Sequence, residues 1–220
     1  MNPFKEIDSM NTIEQCENLV KEVYKHFDAS HDFQHIERVR KNALEILEAM
    51  EDADKEVVEL AVLLHDVSDP KYAKDLTKSE QTRIIQQLKL PQSKVNHIND
   101  VIKSVSFNGG NEEEPKTIEA KIVRDADRLD AIGAVGIART FAYGGAKGRK
   151  LYEVSETPRA KMTVEEYRSK DTASVTHFYE KLLLLSNGMM TEKGKALAKE
   201  RHAFMELFLQ NLRKETGELI

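Results

Sequence analysis

The sequence predicts an all-α protein with a single domain. Apolar residues recur at helical spacing through most of the 220 residues, and no stretch of useful length alternates with the period of two that marks a strand. Neither an internal repeat nor a low-complexity linker divides the chain, so we assign residues 1–220 to one helical bundle. The expected helices cover roughly residues 10–27, 32–51, 55–67, 77–89, 93–106, 118–142, 171–186 and 192–214.

The composition excludes several classes of function. A net charge of -5 argues against binding of nucleic acid by the whole surface, so we expect no nucleic-acid partner. The single cysteine, Cys16, fits a reducing compartment, and the first residues lack the basic and then apolar pattern of a signal peptide. No apolar run approaches the ~20 residues needed to cross a bilayer. We therefore expect a cytoplasmic protein without a membrane partner.

The helix expected over 32–51 buries one stripe of apolar side chains. His35 lies on the edge of that stripe, beside Val39 in the i+4 relation, so it can reach inward from a rigid backbone. His31 points further outward. Together with Asp32 it either caps the start of the helix or orients His35, and the sequence leaves both roles open.

The next helix, expected over 55–67, is apolar on nearly every face from Val57 to Leu64, which predicts a core helix. The pair His65-Asp66 follows at its end, where desolvation is costly unless a buried ion pair or a metal compensates it. Asp69 lies on the same side if the helix continues. Pro70 disfavours helical geometry at that position, so Asp69 is either a residue near the site or part of a turn.

A third polar cluster lies on the helix expected over 118–142. Asp130 falls inside its apolar stripe, and Asp125 and Asp127 flank that stripe on opposite sides. Three acids on one half-buried helix repel each other unless cations neutralise them. The spacing alone does not choose between Asp125 and Asp127 as a metal ligand.

Two stretches interrupt the helices. The first, 108–115, has the composition of a solvated loop. The second runs from Gly144 to about Lys161 and is either functional or a disordered excursion. After it, the helix expected over 171–186 carries His177, Tyr179 and Lys181, which either approach a substrate or lie in solvent.

Four sequence blocks resemble those of the HD-domain metal-dependent phosphohydrolases, in particular a small bacterial and fungal branch of that superfamily. The blocks span about residue 31 to residue 205 and read HDFQHIERV, LLHDVSDPK, DADRLDAIGAVGIARTFAYGG and HFYEKLLLL. The resemblance implies an HD-type helical bundle in which one divalent cation is held by His35, His65, Asp66 and Asp127. The second aspartate of the triplet at 125–127 is the one that matches the family ligand, and Asp69 stands where many HD proteins carry a carboxylate.

Two imidazoles and two carboxylates, with no thiolate, suit manganese first, with magnesium, iron, cobalt, nickel and zinc as alternatives. Such a cation would polarise a phosphorus–oxygen bond and lower the pKa of water. We expect Asp69 to orient or deprotonate that water, with Asp130 as a supporting residue. The cationic side chains that we expect to bind substrate phosphate are Arg38, Lys71, Arg149 and Lys181.

These features predict a metal-dependent phosphohydrolase whose small-molecule substrate is a nucleotide, with release of either pyrophosphate or a single phosphate. Two alternatives come from other classes. One is a non-catalytic nucleotide-binding or sensor module that keeps the HD fold. The other is a purely structural network, in which His65, Asp66 and the acid cluster form buried ion pairs without a metal.

Overall fold

Helices are the only regular secondary structure in the part of the chain that the computed structural model describes, which confirms the all-α prediction. The described residues are 11–25, 32–68, 79–105, 114–159, 163 and 172–217. The first seven helices are α1 Thr12–Tyr24, α2 Phe33–Leu47, α3 Lys55–Leu64, α4 Ser79–Gln87, α5 Gln92–Lys103, α6 Ile118–Asp130 and α7 Gly133–Ala146. The remaining helices are α8 Ser174–His177, α9 Leu183–Leu185 and α10 Glu192–Glu215.

Five of these helices begin at a side-chain oxygen that accepts hydrogen bonds from N–H groups of the first turn. Each such cap satisfies donors that the helix itself leaves unpaired, and removing one typically costs about 1 kcal/mol. The capping residues are Asn11 for α1, Asp32 for α2, Asp54 for α3, Thr117 for α6 and Thr191 for α10. Asp32 thus caps the helix that carries His35, which is one of the two roles left open for it.

Helix α3 forms the centre of the core. Every residue from Val57 to Leu64 is buried, and the helix packs against α1, α2, α5 and α6. Its one buried charge, Glu59, accepts a hydrogen bond of 2.7 Å from Arg40 of α2. The prediction of a core helix is therefore confirmed, and the end of α3 is surrounded by other helices.

The prediction of one continuous helix over 118–142 is wrong in one respect, because the helix is interrupted between Asp130 and Gly133. Gly133 has a φ of +74°, which an L side chain adopts only with strain. A Cβ at this position would also lie 3.0 Å from the Cβ and Cγ of Arg201. The apolar periodicity continues across the break because both helices bury an apolar face, so periodicity alone did not reveal it.

Helix α7 extends to Ala146, so the expected start of a loop at Gly144 is also wrong. Gly144 approaches α8 closely: a Cβ there would lie 2.2 Å from the Ser174 hydroxyl oxygen. Beyond the helix, the main-chain oxygens of Lys150 and Leu151 accept hydrogen bonds from the first residues of α8. The described part of this segment is thus attached to α8. The loop expected over 108–115 lies mostly outside the described residues.

The helix expected over 171–186 is composite. Helix α8 continues into a π-helical turn over Phe178–Leu182, then α9, then a 3₁₀ turn over Ser186–Gly188. Phe178 in the π turn contacts Phe141 of α7 and Phe208 of α10, with ring centroids 6.0 and 5.9 Å away. Among the described helices, none combines the length and the apolar character that crossing a bilayer requires.

Candidate metal centre

The structure brings the four predicted metal ligands together from three helices. His35 lies in the first turn of α2, His65 and Asp66 follow the end of α3, and Asp127 lies in the last turn of α6. The Nε2 atom of His35 is 3.5 Å from a carboxylate oxygen of each aspartate. The Nε2 atom of His65 is 3.5 Å from Asp66 and 3.7 Å from Asp127. These separations are close to the ~3 Å expected between neighbouring donors around a cation with bonds of about 2.1 Å.

Each imidazole is oriented by a hydrogen bond at its Nδ1 atom, on the side of the ring away from the cluster. Nδ1 of His35 lies 2.7 Å from Oδ2 of Asp130, and Nδ1 of His65 lies 2.8 Å from the carbonyl oxygen of Val62. A carbonyl oxygen only accepts, so Nδ1 of His65 carries a proton and donates to Val62, which directs Nε2 toward the carboxylates. Within the described residues, the buried Nε2 of His65 has no hydrogen-bond partner. This orphaned nitrogen and the nitrogen–oxygen donor set fit a divalent cation.

The charges of the cluster favour a bound cation. Burial lowers the pKa of His65, but the nearby carboxylates of Asp66 and Asp127 outweigh it and raise that pKa to about 10. The pKa of His35 is also raised, because hydrogen bonds to Asp130 and Asp66 outweigh burial. His65 therefore keeps its proton near neutral pH, and a bound metal ion would take the place of that proton.

Asp127 is the most exposed of the four side chains. Its side chain is 26% exposed, against 2% for His35 and 3% for His65. Burial raises the pKa of Asp127, but the close approach and the positive charge of the His65 imidazole outweigh that and hold it below its usual value. A ligand that approaches the cluster from solvent therefore meets Asp127 first.

Asp130 lies behind His35 rather than on the open side of the cluster. Its buried carboxylate accepts hydrogen bonds from Arg38 Nε at 2.6 Å and from Arg139 at 2.7 Å, in addition to the one from His35. Burial raises its pKa, but the bonds from His35 and Arg38 outweigh that effect and hold the pKa well below the usual value. With three donors on it, Asp130 is placed to fix the orientation of His35.

The other predicted site residues are spread more widely. Arg38 is bonded to Asp130, as just described. Arg149 lies over the ring of Tyr143, 5.3 Å from its centroid, and Lys181 is half-buried on the π-helical turn. Asp69, Lys71 and His31 lie outside the described residues. The phosphate-binding roles of these side chains remain predictions.

Asp125 faces the opposite side of α6, where α10 begins. Its carboxylate accepts hydrogen bonds from the main-chain N–H groups of Met190 and Thr191, at 3.0 and 2.7 Å, and from the Thr191 hydroxyl at 2.7 Å. Gly194 leaves room for it, since a Cβ there would lie 2.5 Å from Oδ2 of Asp125. The structure thus separates the two acids that spacing could not distinguish: Asp127 is at the cluster and Asp125 is not.

Tyr24 at the end of α1 was missed by the sequence analysis. Its side chain is buried, its ring lies 6.1 Å from that of Phe33, and the negative charges of Asp66 and Asp127 act on its hydroxyl. Burial, followed by the negative charge of Asp66, raises its pKa well above the usual value. In the sequence, Tyr24 appears only as the last member of the apolar stripe of α1, which gave no sign of its position beside two carboxylates.

Comparison with known proteins agrees with this geometry. The family model described as HD domain matches residues 32–132, which include all four clustered side chains and Asp130. The chain is 36% identical over 207 residues to the protein YpgQ of Bacillus subtilis (strain 168), and the match covers 92% of both chains.

Solved structures are also similar to this chain over nearly its whole length. A Lactobacillus plantarum protein superposes with a TM-score of 0.83 at 31% identity, covering 94% of this chain and 97% of that one. An HD-superfamily hydrolase from Bacillus thuringiensis gives 0.72 at 36% identity, covering 93% and 96%. The crystal structure of B. subtilis YpgQ in complex with ADP gives 0.71 at 33% identity, covering 93% and 100%.

Proposed function

Because the chain belongs to the HD-domain phosphohydrolase superfamily, we propose that it is a divalent-metal-dependent phosphohydrolase that acts on nucleotides. We propose His35, His65, Asp66 and Asp127 as the ligands of one cation, with manganese as the first candidate. The reaction is either release of pyrophosphate from a nucleoside triphosphate or removal of a single phosphate.

The observation that carries this proposal is the convergence of two imidazole nitrogens and two carboxylates from three helices, with the Nε2 of His65 buried and unbonded among the described residues. In a structural ion-pair network that nitrogen would donate a hydrogen bond of about 2.9 Å to a carboxylate, whereas the oxygens of Asp66 and Asp127 lie 3.5 and 3.7 Å away. A cation satisfies it and also offsets the repulsion between the two carboxylates.

When bound, a divalent cation supplies Lewis acidity to a phosphoryl oxygen and lowers the pKa of water at the site. The protein's part is orientation. The hydrogen bonds to Asp130 and Val62 hold both imidazoles with Nε2 directed into the cluster. Arg38 and Arg139 in turn hold Asp130. We therefore assign Asp130 a positioning role, and we retain Asp69 as the residue that orients or deprotonates the attacking water.

Three considerations support a nucleotide as the substrate class. YpgQ, which the chain matches over nearly its whole length, has been crystallised with ADP. The metal site would coordinate phosphate oxygens, which suits any phosphorylated substrate. Arg149 and Lys181 supply cations from the turn after α7 and from the π-helical turn, and Lys71 follows the HD pair along the chain. In a substrate with several phosphates, the metal site would bind one phosphate and the cationic side chains would bind another.

The test is a panel of nucleoside mono-, di- and triphosphates, assayed with manganese and with magnesium, with the products identified by mass. We expect turnover that requires added metal, that is lost in His65→Ala and Asp127→Ala, and that is retained in the control Asp100→Ala. Asp100 is a suitable control because its side chain is 68% exposed and pairs only with nearby Lys103 among the described residues. Turnover that persists in both site variants would contradict the proposal.

Metal content and nucleotide binding separate the alternatives. The sensor hypothesis predicts nucleotide binding with bound metal but no product. The structural-network hypothesis predicts no bound metal in elemental analysis and a melting temperature that manganese does not change. Either result would replace the proposed hydrolase.

A further inference from the structure

The last turn of α6 carries two residues of the metal centre, Asp127 and Asp130. The carbonyl oxygens of the last turn of a helix have no partners within that helix, so the turn frays unless other groups bind them. A ligand on a fraying turn would hold a cation poorly, because binding would first have to order the turn. The groups that order this turn therefore bear on metal affinity.

Arg201 of α10 reaches this turn and α2 at the same time. One terminal nitrogen of its guanidinium donates to the carbonyl oxygen of Leu129 at 2.5 Å, and the other donates to the side-chain oxygen of Asn42 at 2.9 Å. The side-chain nitrogen of Asn42 donates in turn to the carbonyl oxygen of Ala126 at 3.0 Å. Three helices are thus joined by one chain of hydrogen bonds.

This chain of hydrogen bonds ends beside the metal centre. On α6, each accepting carbonyl immediately precedes an aspartate of the centre, either Asp127 or Asp130. On α2, Asn42 is seven residues after His35, which is nearly two full turns, so the two side chains project from the same face. The hydrogen bonds therefore connect the face of α2 that carries one proposed ligand with the turn of α6 that carries another.

The side chain of Arg201 is held along its length. A Cβ on Gly133, just after the end of α6, would lie 3.0 Å from the Cβ and Cγ of Arg201, so the stem of the arginine packs directly against that glycine. Burial lowers the pKa of Arg201, and the negative charge of Asp130 is the largest effect that opposes it. The planar fork of a guanidinium serves two acceptors at once, which the single ammonium of a lysine does not do with the same geometry.

We propose that Arg201 is a positioning residue for the metal centre. Together with Asn42 it fixes the alignment of α6 against α2. That alignment sets the 3.5 Å between Nε2 of His35 and Oδ1 of Asp127, a separation that a shared cation can bridge. The inference rests on the proposed metal site for its effect on function, but part of its test needs no metal.

The main variant is Arg201→Met, which keeps an unbranched stem and removes the donors. Its matched control is Arg213→Met on the same helix, because Arg213 is exposed and donates to Tyr179 of the π-helical turn. Calorimetry measures the affinity for manganese, and the visible absorption of bound Co²⁺ reports the coordination geometry. We expect Arg201→Met to weaken manganese binding by about 10-fold, the low end of the range for groups behind the ligands, and to change the Co²⁺ spectrum. Arg213→Met should match wild type in both measurements.

Asn42→Leu tests the same hydrogen bonds from α2 and decides the question if Arg201→Met folds poorly. The double variant should bind manganese no more weakly than either single variant, because both residues act through one chain of hydrogen bonds. Additive losses would overturn the inference. Lower stability in urea with manganese affinity unchanged within about twofold would also overturn it, since the hydrogen bonds would then only hold α10 in place.

The metal-free measurement uses the hydrogen bond between Nδ1 of His35 and Asp130, which crosses from α2 to α6 at 2.7 Å. The strength of such a bond depends steeply on its geometry, so the NMR resonance of its proton moves when the two helices shift. We expect an upfield shift in Arg201→Met and none in Arg213→Met, and an unchanged resonance in Arg201→Met would overturn the inference. If wild type binds no manganese, the proposed function fails, and this resonance still decides whether Arg201 sets the alignment.

Discussion

The two sides of α6 each carry an aspartate, one buried and one partly exposed, and the two carboxylates have opposite surroundings. On one side, Asp125 accepts hydrogen bonds from neutral donors, two main-chain N–H groups and a hydroxyl. On the other, Asp127 faces two imidazoles, and a quarter of its side chain is open to solvent. Two residues of helix separate these sites. Neutral donors satisfy the carboxylate of Asp125. The carboxylate of Asp127 instead requires positive charge, and its exposed side leaves room for a cation.

The pKa values of the two acids move in opposite directions because their surroundings differ. Burial raises the pKa of Asp125, and its hydrogen bonds do not reverse the effect. Burial also raises that of Asp127, but the positive imidazoles outweigh it and the pKa is lowered. A carboxylate beside protonated imidazoles can bind a metal ion when the imidazoles release their protons, and one enclosed by main-chain donors cannot. The same residue type is thus structural at one position and a proposed ligand at the other.

The largest expected effect is on activity, from Asp127→Ala. We expect more than about 100-fold loss of metal-dependent kcat/KM, because a ligand contributes more than the 10–100-fold typical of groups behind the ligands. The stabilisation by manganese should disappear as well. In wild type it should be about 2.7 kcal/mol at 100 times the Kd, measured as a rise in melting temperature. A variant that is still stabilised by manganese would remove Asp127 from the ligand set.

The matched substitution Asp125→Ala should lower the stability of the protein and leave its activity and metal binding intact. It leaves the N–H groups at the start of α10 without their acceptor, and we expect a loss of about 3 kcal/mol in the free energy of unfolding, measured with urea. Activity per folded molecule and stabilisation by manganese should remain. The exposed control Asp100→Ala should change stability by less than about 0.5 kcal/mol. If Asp125→Ala loses metal binding while keeping its stability, the two sides of α6 have been assigned the wrong way round.

The smallest effect is expected from Asp130→Asn, which sharpens the comparison on the metal side. The amide keeps one oxygen acceptor but removes the charge that His35, Arg38 and Arg139 share. We expect manganese affinity, measured by calorimetry, to fall by about 10-fold to 100-fold with the same stoichiometry. Affinity equal to wild type would show that His35 does not depend on this carboxylate for its orientation.

Much of the architecture could be predicted from periodicity. Most of the errors of that prediction occur where glycine alters the backbone. The apolar run of α3 identified the centre of the core because such a run has one stable environment. The break at Gly133 escaped notice because a left-handed residue does not disturb the apolar pattern on either side. The continuation of α7 through Gly144 was missed because glycine normally weakens a helix, and its close approach to Ser174 is a tertiary property.

The candidate site was predictable in type but not in detail. Helical spacing placed His35 and Asp130 toward the core, yet only the resemblance to HD proteins distinguished Asp127 from Asp125. The position of Asp130 behind His35 depends on Arg139, which reaches it only because the chain turns at Gly133. Tyr24 could not be found from spacing, since its neighbours at the site come from α3 and α6.

The contacts between α6 and the last helix have a practical consequence for where the chain can be cut. The family match ends at residue 132, yet Asp125 depends on the start of α10 for its donors. The Arg201 guanidinium donates to the carbonyl oxygen of Leu129 at 2.5 Å and to Asn42 of α2 at 2.9 Å. A fragment trimmed to the matched residues would keep every proposed ligand and lose the braces that align α6 with α2. Expression boundaries for a minimal fragment that keeps the candidate site therefore belong after α10.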